Sequence, residues 1–288
     1  MQQTEKNQIE QGTLYLVATP IGNLADLSER AKKVLNGVDF IAAEDTRNTA
    51  RLLAAFEISK PLLSYHDHNR RERGPEIVAR LQAGEACALV TDAGMPAISD
   101  PGEDLVKLCA EAGVPVTAVP GPSAGITALA LSGLPTARFC FEGFLPREKK
   151  ERRAHLSTLA GEQRTMIFHE APHRLRETLA ALAEAFGEAR DIALCRELTK
   201  RNEEILRTTL SGAITHYTET EPRGEYVLIV AGTAEAPAAA SENPLLSLPP
   251  EAHVAYYEKQ GMARMNAIKQ AARDRGMAKN ELYRLLHR

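Results

Sequence analysis

The sequence predicts an α/β protein built on a mostly parallel sheet, and three observations predict it. From residue 13 onward, short apolar runs alternate with amphipathic helical stretches, the connection that parallel strand pairing requires. The runs are apolar throughout rather than at every second position, as strands covered on both faces are. Each run ends abruptly in a loop rich in Gly, Pro, Asp or Asn, residues that break regular structure.

In chain order, TLYLVA (13–18) leads through TPIGN into a helix, where Asp26 as N-cap and Glu29 three residues later have capping-box spacing. VDFIAA (38–43) ends at EDTR, where Asp45 and Thr46 can cap the next helix. PLLSY (61–65) ends at HDHN, and a helix over about 71–83 follows. CALVT (87–91) stops at DAGMP, after which Asp100 caps a helix with Pro101 at its first position and Glu103 at its third. VPVTAV (114–119) ends at PGPS, with Ser123 capping AGITALALSG. Ligands of open α/β sheets bind outside the carboxyl ends of the strands. TPIGN, EDTR, HDHN, DAGMP and PGPS therefore gather on one binding edge. A turn-forming role explains any one such loop; five on one edge point to a site.

The second half repeats the theme less regularly through FCFEGFLP (139–146), RTMIFHEA (164–171), DIALCREL (191–198) and GEYVLIVAG (224–232). An Ala-, Pro- and Ser-rich stretch then reads as a linker. Beyond it, short helical segments separated by Gly261 and Gly276 resemble a helix-turn-helix unit, which contacts nucleic acid in many proteins and packs on protein in others. The expected division is a disordered 1–12, α/β domains over 13–136 and 137–232, a linker over 233–249 and a small basic helical domain over 250–288.

Composition narrows the function classes. No apolar run approaches a membrane span, and the polar start MQQTEKNQIEQ has no export-signal character. The four cysteines (Cys87, Cys109, Cys140, Cys195) form no C-x-x-C pair and sit in apolar stretches, as buried thiols of a reducing compartment do. A cytoplasmic protein is expected. Net charge is −3, but residues 251–288 carry eight Lys/Arg against four Asp/Glu, leaving 1–250 at −7. REKKERR (147–153) is a second basic cluster. Such clusters are either solvated faces or a nucleic-acid footprint.

Familiar motifs are excluded. H-E-x-x-H occurs as His169-Glu170-Ala171-Pro172-His173, but Pro172 breaks the helix on which a zinc protease must place both histidines. No metal is expected. TPIGN has one glycine where a dinucleotide fingerprint needs three, and neither a P-loop nor a nucleophile elbow occurs. His66, Asp67 and His68 are a ligand cluster or a self-capping loop; Glu44-Asp45 is an acid pair or a cap.

Nine stretches together carry a resemblance: LYLVATPIGNLADLSERA, IAAEDTRNT, HDHN, VTDAGMPAISDPG, VPGPSA, FEGFLPR, HEAPHR, CRELTK with Glu203-Glu204, and RGEYVLIVAG. Over residues 13–232 the chain resembles the tetrapyrrole-methylase superfamily and, within it, the ribosomal small-subunit RNA methyltransferase I family. The basic tail is similar to that family's C-terminal helical domain. The resemblance implies two α/β domains with the cofactor in the cleft between them and a homodimer. It implies S-adenosylmethionine as donor and the 2′-hydroxyl of a cytidine in the decoding region of 16S ribosomal RNA as acceptor, on free RNA or the 30S subunit. By motif position, the implied cofactor contacts are Pro20, Asp92, Ala93, Gly94, Met95, Pro96, Ser123, Ala124, Phe168, Leu198, Gly224 and Glu225. Met95 stands where the family has threonine and His169 where it has tyrosine, which removes a hydroxyl from each place. A methylase acting on a small molecule and a non-catalytic RNA-binding module are the alternatives.

A ribose hydroxyl is a weak acid, so the protein has to align it and favour loss of its proton. Glu44, His66, Glu170 and Lys200 are the candidate groups, with Asp45 beside them. RNA contacts are expected from Arg47, Asn69, the arginines of 70–73, and Arg147, Lys149, Lys150, Arg152 and Arg153. In the tail they fall on Lys269, Arg273, Arg275, Lys279 and Arg284.

Overall fold

The computed structural model describes residues 8–233 and 244–286. Most of the tail expected to be disordered over 1–12 and of the linker over 233–249 lies outside the described residues. Where the tail is described, Ile9 packs on the first core and the Glu10 amide donates to the Tyr15 hydroxyl at 2.8 Å.

β1 (Leu14–Val17), β2 (Phe40–Ala43), β3 (Leu62–Ser64), β4 (Cys87–Val90) and β5 (Val116–Val119) form one sheet in the order β3-β2-β4-β1-β5. All its pairings are parallel. Alternate residues of each strand enter two separate cores. Tyr15, Val17, Ile41, Ala43, Ala88 and Val90 face one, closed by α1 (Glu29–Gly37) and α2 (Thr46–Ala54). Leu14, Phe40, Ala42, Cys87 and Leu89 face the other, closed by α3 (Arg70–Gln82) and α4 (Glu103–Glu111). Burial on both faces explains the continuous apolar runs.

Two helix starts differ from the sequence reading, and a third stands where it was read without the expected bond. Ser28, not Asp26, caps α1 by accepting from the Ala31 amide, because a 3-10 turn over Leu24–Asp26 intervenes. Asp100 caps nothing; α4 starts after Gly102. Ser123 precedes α5 (Ala124–Ser132) but makes no capping bond. Asp45 does cap α2, accepting from the Arg47 amide at 2.8 Å.

The second sheet corrects the expectation of parallel pairing. It comprises β6 (Phe139–Phe144), β7 (Thr165–Glu170), β8 (Asp191–Arg196), β9 (Glu204–Thr209) and β10 (Tyr226–Val230), in the order β6-β7-β10-β8-β9. Only β6 and β7 run parallel in it; β10 inserts between β7 and β8. β9, not among the strands read from the sequence, is an edge strand whose EILRTT sequence lacks an apolar run. One face packs against α6 (Lys149–Thr158), α7 (Leu175–Phe186) and α8 (Leu210–Glu219). The other is covered by α5, whose Ala128 and Leu129 meet Ile167, Ala193, Val227 and Ile229. α5, which precedes the boundary expected at 136, thus packs on the second sheet. Both sheets belong to one compact unit, running to residue 160 and over 164–232.

Cys87, Cys109 and Cys195 are buried thiols. The other unit, 161–163 and 233–288, contains α9 (Pro250–Lys259), α10 (Arg264–Asp274) and α11 (Lys279–Leu285) around Val254, Ala267, Ile268, Ala271 and Leu282. His253 is fully buried there, its Nε2 3.1 Å from Asp274 and its Nδ1 accepting from Arg275 at 3.1 Å. Arg275 is thus structural, whereas Lys269, Arg273, Lys279 and Arg284 are exposed.

Candidate functional site

Parallel pairing brings the carboxyl ends of β1 to β5 to one rim, and the loops there are bonded together. Thr19 and Gly94 exchange backbone hydrogen bonds at 2.9 and 3.0 Å, and the Thr19 hydroxyl donates to the Thr91 carbonyl at 3.0 Å. The Asp92 amide donates to Glu44 Oε2 at 3.3 Å, and Asn48 Nδ2 to Asp92 Oδ2 at 2.9 Å. Gly94 has φ +88°, a left-handed conformation that a side chain would strain. Asn69 closes its own loop, accepting from the His66 amide and donating to the Ser64 carbonyl. It is committed to that turn, which corrects its reading as an RNA contact.

A loop from the second sheet reaches the same rim. A Cβ on Gly22 would lie 2.4 Å from Lys200 Cγ, so glycine permits the 198–200 turn to press against the first loop. Lys200 Nζ bridges Glu197 at 2.9 Å and Glu225 at 2.8 Å. Burial pulls the Lys200 amine down, but the hydrogen bonds to both glutamates leave it above its ordinary value. It is a fixed ammonium, suited to assist deprotonation by its charge rather than to accept the proton. Four of the five non-glycine residues with positive φ among the described residues are Ala97, Ser99, Glu197 and Thr199, in the loop after β4 and the turn after β8. Such strain concentrates at functional sites.

The rim's acids are perturbed. Burial raises the Glu44 carboxyl, partly offset by the Asp92 amide and reinforced by repulsion from Asp92, Asp67 and Asp45. Burial pushes Asp100 up to about 6, with Glu44 and Asp92 adding repulsion. Asp45 is held down by its hydrogen bonds to Arg47. That ion pair also commits the exposed Arg47.

The strand period of two separates His169 from its neighbours. Ile167 faces α5, and His169 lies on that side, its ring set edge-on to Phe141 and Phe144 at 5.4 and 5.5 Å. Burial lowers the His169 imidazole. Phe168 and Glu170 point to the opposite core. Phe168 can therefore offer a ligand only its backbone. The Glu170 carboxylate is fully buried; it accepts from the Thr178 hydroxyl at 2.5 Å and the Ala171 amide at 2.9 Å, with Arg174 3.7 Å away. Glu170 is structural, a correction to its candidacy as a catalytic group. His173 lies on the following 3-10 turn, so the H-E-x-x-H pair is split between elements. No group of three or more His, Cys, Asp or Glu residues among the described residues is arranged to hold a metal.

The fit to a cofactor rests on unpartnered atoms. Buried polar side-chain atoms find hydrogen-bond partners in folded proteins, so exceptions need an explanation. Among the described residues the exceptions are His66 Nδ1, Thr91 Oγ1, His169 Nε2, Thr199 Oγ1 and Arg196 Nε, and the first four sit in or beside these loops. A polar ligand in the cleft would satisfy them. Of the implied contacts, Asp92, Ala93 and Glu225 are exposed, Pro20, Met95, Ser123, Ala124 and Gly224 half-buried, and Pro96 and Leu198 buried. A cavity of about 330 Å³ opens here, with Pro20, Asn48, Arg51, Leu52, Thr91 and Asp92 among its walls.

Sequence reading missed Asn48, Thr91, Asp100 and Thr199. Position directly after a strand was the available signal for Thr91. Nothing local marked Asp100 as more than a cap. The basic cluster divides: Arg147, Lys149, Lys150 and Arg153 are exposed, Arg153 paired with Glu184. Arg152 is buried on Glu177 and the carbonyls of Pro146 and Arg147, and is withdrawn as an RNA contact.

Residues 13–214 match the family of tetrapyrrole (corrin/porphyrin) methylases. The ribosomal RNA small subunit methyltransferase I of Synechocystis is 47% identical over 279 residues, 95% of this chain and 97% of that protein. The protein of the same name from Halalkalibacterium halodurans is 47% identical over 99% of this chain and 98% of its own length. Among solved structures, cobalt precorrin-4 methyltransferase, a cobalamin biosynthetic enzyme, superposes with a TM-score of 0.56 at 17% identity, covering 76% of this chain and 95% of that one. At that identity the likeness is one of fold.

Proposed function

Since the chain belongs to the tetrapyrrole (corrin/porphyrin) methylase family, and within it to the ribosomal RNA small subunit methyltransferase I group, we propose that it methylates small-subunit ribosomal RNA. In this reading the donor is S-adenosylmethionine and the acceptor the 2′-hydroxyl of a cytidine in the decoding region. The carrying observation is that four unpartnered buried atoms, Thr91 Oγ1, Thr199 Oγ1, His66 Nδ1 and His169 Nε2, fall in or beside loops that both sheets contribute.

When bound, the donor supplies an electrophilic methyl group for direct displacement by the ribose oxygen. The backbone of 92–96, Ser123 and the 198–200 and 224–225 turns hold and orient it. Glu44 takes the hydroxyl proton; its half-buried setting and raised pKa make it a better acceptor than a solvated carboxylate. Asp100 and His66 line the same acidic rim as secondary acceptors. Lys200, fixed as an ammonium, favours developing negative charge on the oxygen. Lys149, Lys150 and Arg147 on one unit, and Lys279 and Arg284 on the other, hold the phosphate backbone.

A homodimer belongs to the proposal. Edge strand β6 exposes Phe139, Phe141 and Phe144, and Ile98 and Ile126 are exposed beside it. An apolar sheet edge of this kind is ordinarily covered by a partner.

The test is incubation with methyl-labelled S-adenosylmethionine and, separately, 30S subunits, stripped 16S RNA and a tetrapyrrole, followed by mass-spectrometric mapping of the modified nucleotide. Label on the tetrapyrrole alone, or on a base rather than a ribose, overturns the reading.

A further inference from the structure

Resting on that reading, we infer that the 330 Å³ cavity between the first loop and α2 is the seat of one unstacked pyrimidine nucleotide of the RNA. Its ring lies between Pro20 and Leu52, its phosphate at Arg51, and a polar edge at Thr91. Four observations converge on this occupant.

The floor is built for a polar ligand. Thr91 is 2% exposed, lines the cavity, and its hydroxyl has no partner. Beside it, Asn48 spends its amide on Asp92 and leaves its carbonyl oxygen uncommitted. A hydroxyl and an amide oxygen together match the mixed donor and acceptor edge of a pyrimidine. Apolar side chains reach it from two elements, Pro20 and Leu24 of the first loop and Leu52 and Ala55 at the end of α2. Leu24 is 51% exposed although it belongs to this wall.

Arg51 sits at the mouth with no ion pair among the described residues, unlike Arg47 one turn earlier, which is bound to Asp45. A single uncommitted guanidinium suits one phosphodiester. It does not suit a macrocycle bearing many carboxylates, and the volume lies at the small end of the roughly 300–1,000 Å³ typical of ligand sites. Pro20, Thr91 and Asp92 are shared between this cavity and the loops that would hold the donor, while the other implied donor contacts lie outside its lining. Adjacent but separate sites are what transfer between two bound molecules requires.

The experiment fills the cavity. Leu52→Trp is compared with the full-length wild type for S-adenosylmethionine binding by calorimetry and for methyl transfer to 30S subunits. The expected result is donor affinity within about twofold of wild type and transfer reduced at least about a hundredfold, the loss that misplacing a reactant brings. Arg51→Ala, at an exposed position that does not endanger folding, is expected to raise KM for 30S subunits about tenfold with kcat little changed. Its salt dependence should be shallower by about one counterion. Leu52→Trp transferring at the wild-type rate overturns the assignment, as does parallel loss of donor affinity, which would make the cavity part of the donor site. If Leu52→Trp does not fold, an unchanged KM in Arg51→Ala overturns it alone. A wild-type protein that methylates no ribosomal substrate overturns the functional reading itself, a different result from an active wild type with an equally active Leu52→Trp.

Discussion

Replacing Glu170 separates a structural acid from a catalytic one. Its carboxylate is completely buried on the α7 side of β7 and accepts from the Thr178 hydroxyl at 2.5 Å and the Ala171 amide at 2.9 Å, with Arg174 alongside. Alanine would strand a buried hydroxyl, Thr178 being 1% exposed, together with an amide and part of a guanidinium. Removing one member of a buried charged pair costs about 3–5 kcal/mol. Glutamine keeps one acceptor oxygen, and the Thr178 hydroxyl can rotate to accept from the new amide, so its cost falls to about 1–3 kcal/mol, near the worth of one charge-assisted bond. In a unit of this size each kcal/mol moves Tm by roughly 2–4 °C, giving a drop of about 10 °C for Glu170→Ala and about 5 °C for Glu170→Gln. Thermal unfolding measures this, alongside single-turnover methyl transfer at a temperature where all three proteins are folded. Transfer by Glu170→Gln is expected within about threefold of wild type, since a fold-supporting group leaves the chemical step intact. A Glu170→Gln protein that melts like wild type and transfers methyl a hundredfold more slowly would refute this account.

Four further outcomes are expected. Thr91→Val removes a hydroxyl with no partner, so the free protein should gain about 1 kcal/mol while losing turnover; a lower Tm would show that the hydroxyl is bonded after all. Asp100, raised to about 6, favours the folded state when protonated, so its contribution is present below its unfolded value and lost as pH rises toward 6. Asp100→Asn should therefore be more stable than wild type by about 1 kcal/mol at pH 8 and no different near pH 4, a contrast that urea titration at the two pH values checks. Lys200 is held protonated, so the rate should stay flat between about pH 8 and 10; a tenfold rise per pH unit would mark it as the base. Removing residues 244–288 should weaken RNA binding and flatten its salt dependence, read by filter binding across a salt series; an unchanged slope would remove that unit from the RNA interface.

The N-terminal sheet was legible because its strands are buried on both faces and announce themselves as unbroken apolar runs. Its loops were legible because Gly, Pro and Asp accumulate at the strand ends, where parallel pairing must collect them. Pro172 alone was enough to split His169 from His173. Local pattern could not reveal that β10 enters between β7 and β8, or that α5 crosses to the second sheet, since both are choices among distant partners. Nor could it separate His169 from Glu170, adjacent in the chain yet on opposite faces of one strand, until the helices packed on each face were known. Arg152 looks like its basic neighbours until Glu177, 25 residues on, is found against it. Asp100 reads as a cap until Glu44 and Asp92 are placed beside it. Sequence alone thus determined the elements of the first sheet, their order and the rim on which their loops gather, because those follow from short-range periodicity and backbone preference. Which side chains face that rim, and in what charge state, was decided only by tertiary packing, because burial and electrostatic coupling depend on residues that the chain holds far apart.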